Sequence, residues 1–86
     1  MAKIAETDRL IAERDSLNDE KLKMLYKEHT ESPYVKYPLR EAQFARVYRR
    51  FLNVEIAAWT ALESGDQAAY FNWDNESQRL CAMLGY

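Results

Sequence analysis

Backbone punctuation is scarce in this chain: its 86 residues include two prolines and two glycines, and their positions divide it. Ser32-Pro33 and Tyr37-Pro38 bracket a short segment, Gly65 interrupts the second half, and Gly85 stands beside the last residue. A proline ring crowds the preceding residue out of the α region but suits the first turn of a helix itself. One helix is therefore expected to stop near Glu31 and another to begin at Pro38. The expected fold is all-α with three helices, over about 3–31, 38–64 and 67–84, and an extended Pro/Tyr strap over 32–37. No run of alternating residues is long enough for a sheet.

The first expected helix is rich in Ala, Leu, Glu, Lys and Arg, all good helix formers. Its apolar residues Ile4, Leu10, Ile11, Leu17, Leu22, Met24 and Leu25 contain a heptad series, Leu10, Leu17 and Met24. Arg14 and Lys21 occupy positions where a coiled-coil seam requires apolar side chains. The sequence thus favours a long solvated helix packing through Leu17 to Tyr26 over a coiled coil. In the second helix, Phe44, Val47, Tyr48, Phe51, Leu52, Val54, Ala58, Trp59 and Leu62 share one face, the pattern of a buried stripe. Ser64 or Asp66 is suited to cap the third helix after a tight reversal at Gly65, giving an antiparallel hairpin. The third helix lines up Ala69, Tyr70, Trp73, Ser77, Leu80, Cys81 and Leu84, with Phe71 and Met83 pointing elsewhere. Trp59 and Trp73 are both expected to be buried in the hairpin.

Hydrophobic residues make up 48% of the chain and aromatic residues 13%. A monomer of this size hides only about 60–65% of its unfolded surface, so part of the apolar content is expected to meet a partner or a second copy, and a homodimer is the expected state. The formal charge is −2, which gives no global field for holding nucleic acid. Locally the balance differs. Residues 36–50 carry Lys36, Arg40, Arg46, Arg49 and Arg50 against Glu41, a net of +4, whereas residues 51–86 net −4. No spanning helix or signal peptide is read, and a single cysteine, Cys81, forms no intrachain disulfide; a reducing, cytoplasmic setting is expected.

Catalytic equipment is thin. His29, the lone histidine, is read as a solvated residue at a helix C-terminus, and Cys81 as a small side chain on an apolar stripe. There is no phosphate-binding glycine loop, nucleophile elbow or metal-ligand spacing, so no enzyme activity, cofactor or metal is expected. Glu55 breaks the apolar arc of the second helix and must be paired or bonded, either by a tyrosine hydroxyl or by a base of the first helix, or else at an interface. Arg46, Arg49 and Arg50 lie on the opposite face. With Tyr34 and Tyr37 of the strap they form the candidate partner-binding set, although the tyrosines are expected to lie back on the core.

The function expected is that of a regulator, adaptor or inhibitor binding a protein with an acidic surface, of the accessory kind carried by phages and mobile elements. A nucleic-acid binder using the arginine face is the alternative, and a structural helical oligomer is a further one.

Overall fold

The computed structural model describes residues 5–86. It holds four helices, α1 (Ala5–Ser16), α2 (Asp19–Glu31), α3 (Glu41–Glu63) and α4 (Gln67–Leu84), and no strand among the described residues. The expected start at Lys3, and Ile4 with it, lie outside the described residues.

The all-α class stands, but three helices must be corrected to four. The long N-terminal helix is broken at Leu17-Asn18. Asn18 adopts extended backbone angles (φ −136°, ψ 177°) and its side-chain oxygen accepts the Lys21 N–H at 2.9 Å, an N-cap for α2. Asp19 and Glu20 follow in the first turn, where the helix dipole favours acids. The preceding helix closes on itself, with the Leu17 N–H bonded to the Arg14 carbonyl and the Ser16 hydroxyl to that of Glu13. The break allows Leu10 of α1 and Leu22 of α2 to reach one core.

α3 begins at Glu41 rather than Pro38, with Arg40 as its N-cap. The reason is local. The Leu39 N–H is given to His29 Nε2 at 2.9 Å, which holds the strap extended past the proline.

α3 is the axis of the molecule, packing against each of the other three helices. At 23 residues it is about 34 Å long, most of the 40 Å long dimension. Phe44, Tyr48 and Leu52 of α3 meet Leu10, Leu22 and Leu84, so every helix contributes to the central cluster. Phe44, Leu52, Leu80 and Leu84 are all but sealed from solvent. The small residues Ala58 and Ala61 are buried on α3, whose most extensive packing is against α4.

The hairpin forms as the sequence implies. Gly65 takes φ +79°, the Asp66 N–H bonds to the Ala61 carbonyl, and the Asp66 carboxylate caps α4 through the Ala69 N–H at 3.1 Å. Among the described residues no helix is long and apolar enough to cross a membrane.

Candidate interaction face

Arg46, Arg49 and Arg50 fall on the outward side of α3 because the inward side is taken by Phe44, Tyr48 and Leu52. The structure separates the three. Arg46 and Arg49 are exposed and form no ion pair with any described residue. Arg50 reaches across to α4, its Nε 3.5 Å from Glu76 Oε1.

Glu76 is also bonded by Arg79, one turn along α4, and Arg79 in turn lies 3.7 Å from the Met83 sulfur. Arg79, with help from Arg50, draws the Glu76 carboxyl below its ordinary pKa. This chain of contacts leads from the arginine face to the C-terminal end of α4. There Met83 and Ala82 share a groove of about 430 Å³ with Tyr34, Val35, Lys36 and Tyr37 of the strap. Of the three arginines, Arg50 alone is thereby linked, through Glu76, Arg79 and Met83, to the groove of the strap tyrosines. The sequence places Met83 off the apolar face of its helix, as a lid over the first helix or an exposed contact, and no periodicity within α4 reveals a wall supplied by the strap.

The expectation that Tyr34 and Tyr37 lie back on the core is overturned: they are 83% and 89% exposed. Val35 and Leu39 turn inward in their place. A Cβ added to Gly85 would overlap Val35 Cγ2, so the α4 terminus lies directly against the strap.

His29 is also corrected. It is not solvated but 3% exposed, with Nε2 accepting from Leu39 and Nδ1 3.1 Å from the Leu84 carbonyl oxygen. Since Nε2 accepts, Nδ1 carries the hydrogen and donates it to Leu84. Phe44 lies 5.0 Å from the imidazole, centroid to centroid, and Tyr26 6.1 Å.

Glu55 is half-buried on α3 and accepts a hydrogen bond from the Ser77 hydroxyl of α4. A tyrosine or a base of the first helix is expected in that role; Arg9 of α1 does feel the Glu55 charge, but the hydrogen bond comes from Ser77. Tyr48, on the same helix, instead donates to Glu13 of α1 at 2.6 Å. Cys81 is half-buried, and burial raises its thiol pKa, with the Ser77 hydroxyl opposing and the Glu55 charge adding to the rise. Trp73, expected in the core, is 38% exposed and lies outside the central cluster of Phe44, Tyr48 and Leu84.

A second hollow of about 440 Å³ opens between α2 and α3, lined by Asp19, Leu22, Lys23, Glu41, Ala42 and Ala45. Its mixed acids and base favour no single ligand charge. Among the described residues no group of three His, Cys, Asp or Glu side chains is placed to hold a metal ion. The chain matches no protein-family model, no curated protein and no solved structure.

Proposed function

We propose that this chain is a small interaction module that acts as a regulator, adaptor or inhibitor by docking the outward face of α3 on an acidic protein surface. One observation carries the reading. Arg9, Arg14, Arg50 and Arg79 each have an acid within ion-pair distance, whereas Arg46 and Arg49 are exposed on one face of α3 with no acid among the described residues claiming them. Unsatisfied guanidinium groups on a fixed frame suit bidentate recognition of carboxylates.

Binding rather than catalysis is supported by the state of the two side chains best suited to chemistry. His29 spends both ring nitrogens on the backbone, and the Cys81 thiol is disfavoured as a thiolate.

Affinity capture from the native host, with the wild type and an Arg46→Glu/Arg49→Glu variant and with nucleic acid digested in parallel, tests the proposal. An acidic protein retained by the wild type and lost by the folded variant is the expected result. Salt-sensitive binding of DNA or RNA that disappears in the variant would replace this reading with the nucleic-acid one.

The apolar side chains of Leu62, Phe71 and Trp73, exposed by 39%, 61% and 38% and placed toward the hairpin turn, support a homodimer as part of the same proposal. Light scattering coupled to size exclusion is the check, and a single-chain mass at all concentrations would remove the dimer.

A further inference from the structure

We propose that the groove between the strap and the end of α4 receives an extended acidic segment of the partner, with one large apolar side chain seated between the strap tyrosines and Met83. The inference rests on the reading of α3 as a face for acidic protein and adds the form of the segment it takes.

Four observations meet at this groove. Its walls are fixed before anything binds: Val35 lies against Gly85, His29 ties Leu39 of the strap to Leu84 of α4, and the Tyr34 and Val35 N–H groups are bonded to Ser32. A preformed groove spares the partner the cost of ordering it.

Its lining is apolar and aromatic. Tyr34 and Tyr37, almost wholly exposed, line the strap wall, and Ala82 and Met83 form the α4 wall. Tyrosines supply large contact area with few rotatable bonds, and methionine adapts its shape to an incoming side chain.

The strap backbone is open for pairing. The Lys36 and Tyr37 N–H groups have no acceptor among the described residues, as the strap belongs to no helix. An extended segment can bond to such groups, whereas a helix has already used its own.

The surroundings are basic. Lys36 lines the groove, and Arg79 touches Met83; Arg79 and Arg50 share Glu76, so that cluster keeps one net positive charge. Residues 36–50 hold five bases against one acid. Carboxylates flanking an apolar anchor would therefore lie near Lys36 and Arg79.

Selection of short random peptides displayed on phage against the intact protein tests this. The enriched peptides are expected to carry a single Leu, Ile, Phe or Met flanked by Asp or Glu. A synthetic peptide of the enriched sequence should shift the Met83 methyl resonance and leave that of Met24, exposed on α2, unmoved. Its affinity should fall about tenfold in Met83→Ser. Tyr34→Ala/Tyr37→Ala, which removes side chains that support no core, should weaken binding similarly even where Met83→Ser lowers stability.

Acidic peptides lacking an apolar anchor, bound equally well by Met83→Ser and the tyrosine variant, would overturn the groove and leave the arginine face standing. Enriched peptides without acidic character, or no enrichment above an Arg46→Glu/Arg49→Glu/Lys36→Glu control, would overturn both.

Discussion

His29 and Leu84, 55 positions apart in sequence, are joined by a buried hydrogen bond of 3.1 Å from the imidazole Nδ1 to the Leu84 carbonyl oxygen. That oxygen belongs to the last turn of α4, where no further residue of the helix can satisfy it. The opposite edge of the ring accepts the Leu39 N–H. One side chain at the end of α2 thus ties together the strap, the start of α3 and the end of α4.

Replacing His29 by alanine is expected to leave two backbone groups unsatisfied and a gap beside Phe44. The loss should be about 3 kcal/mol, a large fraction of what a domain of this size possesses. Asparagine can mimic the Nδ1 donor and glutamine the Nε2 acceptor, so His29→Asn and His29→Gln should each recover part of it. Urea unfolding measures the stability, and tryptic cleavage after Lys36 reports the strap. Faster cleavage in His29→Ala than in either amide variant is expected. Equal cleavage in all three would show that the imidazole does not hold the strap.

Gly85 closes the same junction from the other side. Its φ of +79° is left-handed, which costs a residue with a Cβ roughly 1–2 kcal/mol, and an alanine there would also collide with Val35. The two contributions can be told apart by a double-mutant cycle. Gly85→Ala should be markedly destabilising, and adding Val35→Ala should relieve the collision while the backbone strain persists. If the two substitutions simply add, the close approach of α4 to the strap is not made in solution.

Most of the helical architecture is legible in the sequence because it follows from local rules. Pro33 stops α2, Gly65 and Asp66 shape the hairpin, and the period of Phe44, Tyr48 and Leu52 marks the buried face of α3. The break at Asn18 was also locally encoded, in an N-cap residue followed by two acids, but good helix formers on either side of it mask a signal worth about 1 kcal/mol. His29 was beyond reach for a different reason. Its polar neighbours, Lys27, Glu28, Thr30 and Glu31, are all exposed, and what buries it comes from residues 39, 44 and 84. The candidate site divides in the same way. Arg46 and Arg49 are apparent from helical geometry, whereas the inclusion of Met83 and the diversion of Arg50 to Glu76 depend on which faces of α3 and α4 meet.

The two tryptophans should no longer behave alike. Trp59 packs against the central cluster, while Trp73 is 38% exposed and outside it. Trp59→Ala is expected to cost about 2–3 kcal/mol and Trp73→Ala about 1 kcal/mol or less in the monomer. Thermal unfolding of the two variants checks the order. If Trp73→Ala proves as costly as Trp59→Ala at high protein concentration but not at low, the exposed ring is buried in a homodimer.

Tyr48 makes the fold sensitive to alkali. Burial, reinforced by the hydrogen bond to Glu13, raises its hydroxyl pKa well above the ordinary value of about 10. The folded state therefore holds a proton that the unfolded chain gives up more easily. The stability this provides is fully present below pH ~10 and declines as the pH rises toward the folded-state value, since unfolding is then coupled to proton release. Tyr48→Phe should cost about 1 kcal/mol near neutrality, through loss of the bond to Glu13, yet show a shallower decline in alkali. Urea midpoints measured from neutral to strongly alkaline pH, with tyrosinate absorbance followed in parallel, provide the check. Parallel declines in wild type and variant would mean that the Tyr48 hydroxyl titrates as it does in the unfolded chain and that α1 is not bonded to α3 at this point.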